Sequence, residues 1–243
     1  MLCKILLSAR WSYLRASPGW GQLYRNMITT VLFDMDGLLL DTEPLWGISM
    51  WAVAQVHRIP ITPDRFRETT GLRIDEVTRQ WARHFPWEGA SPEQVADDII
   101  DDVILRSKRE GRILPGVEKL LEALGERGVT IGLASSSTRR MIDALVTHFG
   151  LYHLFHAVTS GDEVERAKPH PEIFLKCAVA LGAQDYETAV LEDSLNGCIA
   201  GKAARMKVVA VPDAQHFEDP RFAIADLRVR SLEQLDVDML LRL

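Results

Sequence analysis

Cysteine is scarce in this sequence. Cys3, Cys177 and Cys198 are the only three in 243 residues, and their spacing suits neither a disulfide framework nor a metal motif. Cys177 and Cys198 fall in apolar, helix-like contexts and read as buried free thiols. A chain without a cystine scaffold fits a reducing cytoplasm. Long apolar runs are missing as well: no stretch approaches the ~20 residues that cross a bilayer, so no membrane-spanning helix is expected. There is no excess of positive charge either. Lys and Arg number 28 against 34 Asp and Glu, interspersed along the chain, for a net charge of −6. That balance excludes the basic footprint of a nucleic-acid binder and leaves small molecules as the expected partners. Repeats and low-complexity tracts are absent. The length and the 47% hydrophobic share suit one domain with an insertion or two small domains, with a monomer as the simplest expectation.

Residues 1–26 lack any acidic side chain and carry Lys4, Arg10, Arg15 and Arg25, so the net charge of −6 becomes −10 without them. Ile5-Leu6-Leu7 is too short for a secretory signal, and Arg10 ends it. An organellar presequence is one reading. The preferred one is an extension, disordered or created by a start codon placed too far upstream, because Met27 stands directly before the first convincing strand.

From there Ile28 to Phe33 is β-branched and apolar enough for a strand covered on both faces. Residues 42–112 then lack any good strand run. They read as helices over Glu43–Val56, Asp75–Phe85 and a segment opened by Ser91-Pro92-Glu93 and running to about Arg109. After Leu114-Pro115-Gly116 the rhythm becomes alternating. Helices are expected over Val117–Arg127, Arg139–Phe149, Pro171–Leu181 and Gly197–Arg205. Strands are expected over Val129–Ala134, Ala157–Thr159, Ala189–Leu191 and Val208–Val211. This pattern predicts an α/β fold: a Rossmann-like parallel sheet over residues 27–41 and 113–243, with helices on both faces and a small helical domain, residues 42–112, inserted after the first strand.

Ligands of such sheets bind beyond the carboxyl ends of the strands. The first strand delivers Asp34 and Asp36, the second Ser135-Ser136-Ser137, the segment after the third Lys168, and the fourth Glu192-Asp193. Taken singly, each has a plain structural reading: a strand-terminating turn, a helix cap, a solvated loop lysine before Pro169, another helix cap. Their order on successive strand ends carries the signal. Carboxylates, a hydroxyl and a cation converging on one rim suit a phosphate with a hard divalent cation, magnesium. Asp34 can attack phosphorus. Asp36 can protonate the leaving alkoxide and then activate water. Gly37 allows a tight turn beside the phosphate. Ser135 can bond a phosphoryl oxygen, and Lys168 can set a positive charge against the transferring group. Asp193, with Glu192 beside it, can hold the metal.

Asp34-Met35-Asp36-Gly37, the serine after the second strand, the Lys-Pro pair and the late Glu-Asp resemble the four motifs of the haloacid dehalogenase superfamily phosphatases. The resemblance implies Asp34 as nucleophile, Asp36 as acid/base, and Ser135 and Lys168 as phosphate ligands, with Ser136 against the substrate. It further implies magnesium held by Asp34, Asp193 and the backbone carbonyl of Asp36, with Glu192 in an outer role. The insert resembles the superfamily's small helical cap, which would open and close about linkers near Asp41 and Leu114. Asp41-Thr42-Glu43-Pro44-Leu45-Trp46, Gly71-Leu72-Arg73-Ile74-Asp75 and Asp219-Pro220-Arg221-Phe222 narrow the resemblance to members that act on hexose and hexitol phosphates. Ala167, where many relatives have glycine, is a mild departure. A phosphosugar mutase is the nearest rival, but its cap histidine falls at Trp46 here, which cannot relay a proton. A dehalogenase, a phosphonatase and an inactive sugar-phosphate binder fit less well. Trp46 and Arg73 are the candidates for the cap's substrate-facing surface. Trp81 and Trp87 are expected in packing, and His170 in a solvated loop.

Overall fold

The computed structural model describes residues 27–62 and 72–243. The extension expected over residues 1–26, with Cys3, lies outside the described residues, as does Gly71. Strand β1 (Thr30–Phe33) is buried at all four positions, as its unbroken apolar character requires. It lies between β2 (Thr130–Ser135) and β4 (Thr188–Glu192). Outside these come β3 (Ala157–Ser160) on one side, and β5 (Lys207–Ala210) and β6 (Leu227–Arg228) on the other. The sheet order is β3-β2-β1-β4-β5-β6, and every neighbouring pair is parallel.

Alternation along β1 divides the core. Val31 and Phe33 join α4 (Val117–Glu126) and α5 (Arg139–His148) through Leu121, Leu124 and Leu145 on one face. Leu32 joins α6 (Glu172–Leu181) and α7 (Leu195–Ala203) through Phe174 and Cys198 on the other. Helices therefore cover both faces, and Cys177 and Cys198 are free and buried among them. Helix α7 begins earlier than the residue pattern suggests, because the Ser194 hydroxyl caps it by accepting from the Gly197 amide at 3.0 Å. The two-residue β6 and the closing helix α8 (Val237–Leu240) were not expected from the sequence. No described helix is long and apolar enough to cross a membrane.

Between β1 and α4 the chain forms α1 (Glu43–Val56), α2 (Ile74–His84) and α3 (Pro92–Glu110), with no strand among the described residues of the insert. Ser91 caps α3 by accepting from the Gln94 amide at 3.1 Å. Trp81 is 2% exposed and belongs to the same buried cluster as Val77, Val95 and Ile99. Trp87 packs against that cluster and donates its indole N–H to the Ala90 carbonyl at 3.0 Å. The two linkers run side by side: the Asp41 amide donates to the Arg112 carbonyl at 3.0 Å, and the Leu114 amide to that of Leu39 at 2.9 Å. Replacing Trp81 with alanine is expected to destabilise the protein by ~3–5 kcal/mol, read as a lowered denaturation midpoint. A loss under ~1 kcal/mol would show that the insert is not built on this side chain.

Candidate active site

The sheet order makes β1 and β4 the switch point, where the chain has departed to one side and come back on the other. Phe33 is level with Leu133 and with Leu191, so the next residues of each strand, Asp34, Ala134 and Glu192, reach the rim together. Lys168 enters from the loop after β3. Its ammonium lies 2.6 Å from Asp34 Oδ1 and 2.6 Å from Glu192 Oε1, and donates to the Ala134 carbonyl at 3.3 Å. The Phe174 ring closes it off from below at 4.8 Å. Glu192 is held in turn by the amide and hydroxyl of Ser194, each 2.9 Å from Oε2.

Asp34, Lys168 and Glu192 are all buried, at 6%, 5% and 1% exposure, so two carboxylates share one ammonium away from water. Burial alone would lower the lysine's pKa, yet the charges of Asp34 and Glu192 raise it above its ordinary value. Burial, with Glu192 and Asp36 adding repulsion against the pull of Lys168, pushes Asp34 up to about 8. Asp193 is raised well above the usual carboxylate range by desolvation and by Glu192, Asp34 and Glu43.

Asp36 is positioned from three sides. Thr42 Oγ1 donates to Oδ1 at 2.6 Å, the Trp46 indole N–H donates to the same oxygen at 3.2 Å, and Ser137 Oγ donates to Oδ2 at 2.6 Å. The turn that follows Asp36 places Gly37 at φ 72°, and its amide donates to the Leu40 carbonyl at 2.9 Å. A Cβ on Gly37 would collide with the Asp193 carboxylate, so the turn and that carboxylate are packed directly together.

The structure thus brings Asp34, Asp36, Lys168, Glu192 and Asp193 to one rim. Ser135 is buried at the end of β2, its hydroxyl accepting from the Ser137 amide at 3.2 Å. Ser136 follows it, with its backbone against Gly161. Ser137, Thr42 and Trp46 as partners of Asp36 were not assigned from the sequence. Trp46 faces the site as expected of an insert residue. Arg73 does not have a free guanidinium for substrate: Asp75 takes Nη2 at 2.8 Å, and Nη1 donates to the core carbonyls of Gly161 and Val164 at 3.3 and 3.1 Å. It bridges insert and core. His170 accepts from the Glu172 amide at 3.3 Å in a partly exposed loop.

The donor set fits magnesium. Asp34, Asp193 and the Asp36 carbonyl are hard oxygen donors, and the carboxylates around them outnumber the one buried ammonium. Among the described residues no three His, Cys, Asp or Glu side chains form a ready-made cage. Magnesium, which keeps several waters and takes one or two carboxylates, does not require one.

A pH dependence follows. Burial holds the Asp34 carboxyl of the folded chain above its ordinary value of 3.8, toward about 8, so the folded state binds this proton more tightly than the unfolded chain and rising pH between these values favours unfolding. The metal-free protein should therefore lose thermal stability from about pH 5 to 8, and magnesium should restore more as pH rises. The slope should flatten in Asp34→Asn. A wild-type melting temperature that climbs over this range would contradict the account.

The sequence profile of the haloacid dehalogenase-like hydrolases matches residues 31–211. Hexitol phosphatase B of Escherichia coli (strain K12) is 39% identical over 217 residues, covering 89% of this chain and 98% of that protein. Among solved structures, CbbY from Rhodobacter sphaeroides in complex with phosphate superposes with a TM-score of 0.81 at 23% identity, over 89% of this chain and 100% of that one. The β-phosphoglucomutase from Clostridium difficile does so with 0.75 at 24%, over 88% and 95%. At those identities the two structures speak for the fold alone, while the profile and the 39% relative speak for descent. The chain belongs to the haloacid dehalogenase-like hydrolases, as a phosphatase.

Proposed function

We propose that the enzyme hydrolyses phosphomonoesters of hexoses and hexitols, with magnesium, through an aspartyl phosphate on Asp34. The candidate substrates include 2-deoxyglucose 6-phosphate, sorbitol 6-phosphate and mannitol 6-phosphate. The observation that carries this reading is the buried Lys168 joining Asp34 to Glu192, with Asp36 fixed two residues beyond the nucleophile. The substrate class rests on the likeness to hexitol phosphatase B.

In the first step a carboxylate oxygen of Asp34 bonds to phosphorus, the bond from phosphorus to the sugar oxygen breaks, and Asp36 gives that oxygen a proton. In the second step Asp36 takes a proton from water as its oxygen attacks phosphorus, and the bond to Asp34 breaks, releasing phosphate. Lys168, Ser135 and Ser136 hold and orient the phosphorylated substrate, the ammonium opposing charge that builds on the phosphoryl oxygens. Asp34, Asp193 and the carbonyl of Asp36 would hold magnesium, which when bound offsets negative charge on the carboxylates and the phosphate. Glu192, already committed to Lys168 and Ser194, supports that shell from outside. Residues 42–112 serve as the cap that selects the sugar. The indole at position 46, where a mutase of the β-phosphoglucomutase type carries its cap histidine, offers no proton to relay and so disfavours mutase turnover.

Phosphate release with magnesium across a panel of hexose and hexitol 6-phosphates, with Asp34→Asn in parallel, tests the proposal. The variant should lose at least about a thousandfold in rate. Undiminished release by the variant, or isomerisation of β-glucose 1-phosphate in place of hydrolysis, would overturn it.

A further inference from the structure

The two oxygens of Asp36 receive three donors, and these come from different parts of the fold. Ser137 belongs to the core loop after β2. Thr42 is the N-cap residue of α1, at the linker. Trp46 lies one helical turn further on: its amide donates to the Thr42 carbonyl at 3.1 Å, so hydroxyl and indole rise on the same side of the helix and meet at Oδ1. Trp46 is partly buried and packs against the main core cluster, while Thr42 is fully buried.

Resting on the phosphatase reading above, we propose that Trp46 is a positioning residue that ties the orientation of the acid/base Asp36 to the seating of the helical insert. An indole N–H is a donor with no acceptor lone pair, and it does not ionise near neutral pH. It can aim the Asp36 carboxyl without competing for the proton that carboxyl must move. The bulk of the ring fixes where the N–H points, because the side chain has two torsions and its face is packed. When α1 is seated, Oδ1 is held between Thr42 and Trp46 and the carboxyl keeps one rotamer. When α1 shifts, the donor furthest along the helix withdraws first, leaving Asp36 held by Ser137 and the linker. The acid then works only with the sugar site covered.

The test is the dependence of the Trp46→Phe defect on the leaving group. A sugar alkoxide needs the proton that Asp36 delivers, whereas p-nitrophenolate leaves readily without one. The comparison uses kcat/KM, which extends only to phosphoryl transfer onto Asp34 and ignores later hydrolysis. For the best-hydrolysed hexose or hexitol 6-phosphate, kcat/KM should fall about 30-fold, a share of the ~10²–10⁴ that a positioned general acid supplies. For p-nitrophenyl phosphate it should fall no more than about threefold. If Trp46→Phe does not fold, a benzothiophene isostere of the tryptophan, which lacks only the N–H, makes the same comparison. Equal losses on both substrates, or no loss on either, would overturn the inference while leaving the phosphatase reading intact. A wild-type protein inert toward both substrates would instead remove the phosphatase reading, and this inference with it.

Discussion

The ammonium of Lys168, shut between Asp34 and Glu192, is the interaction on which the rest of the site depends. It is the buried cation that lets two carboxylates stand at adjacent strand ends, 2.6 Å from a shared partner on each side. Breaking one side of such a buried pair leaves an uncompensated charge and typically costs ~3–5 kcal/mol. The sheet brings the partners together before any ligand arrives. Asp34 and Glu192 follow level positions of paired strands, and the Ala134 carbonyl on the third strand takes another of the lysine's protons. One ammonium cannot also balance Asp193 and Asp36. Burial, with this surplus negative charge, raises the pKa of Asp34 and Asp193 above the usual carboxylate range, and the surplus makes the rim receptive to a divalent cation.

Much of this was legible in the sequence because it depends on strand ends. A short apolar run that stops at a polar cluster marks both the strand and its rim, and four such clusters in order outline the site. The same logic fails where alternation stops applying. Three successive serines close β2 and open the loop after it, and nothing in their order tells which one turns toward Asp36; the loop geometry selects Ser137. Thr42 and Trp46 reach Asp36 because the chain folds back through a turn at Gly37, which spacing alone does not reveal. Arg73 looked available for substrate, but its two amino groups are used by Asp75 and by core carbonyls. Strand β6 escaped notice because two half-exposed residues carry no periodicity.

The insert and the core meet through chemically different contacts. Apolar residues of α1 and α3 share the main buried cluster with the sheet. Polar ties supplement this: Arg73 to the loop after β3, and Arg140 of α5 to Asp101 of α3 at 2.5 Å. The exposed Arg140 pair is screened by solvent and contributes little to stability, but it favours one seating over its neighbours.

The clasp at the base of the insert has a consequence for the architecture. Leu40 bridges Ile113, Asp41 pairs with Arg112 at 2.7 Å, and the entering and leaving backbones are hydrogen-bonded to each other. To the sheet, some seventy intervening residues are topologically a single closed loop, and the entropy of closing it grows only with the logarithm of its length. Such a junction makes the length of the loop inexpensive. Residues of the insert that touch neither the shared buried cluster nor Asp36 can be added, removed or replaced while the strand ends keep their places, so the outer part of the insert can change without reopening the problem of folding the core.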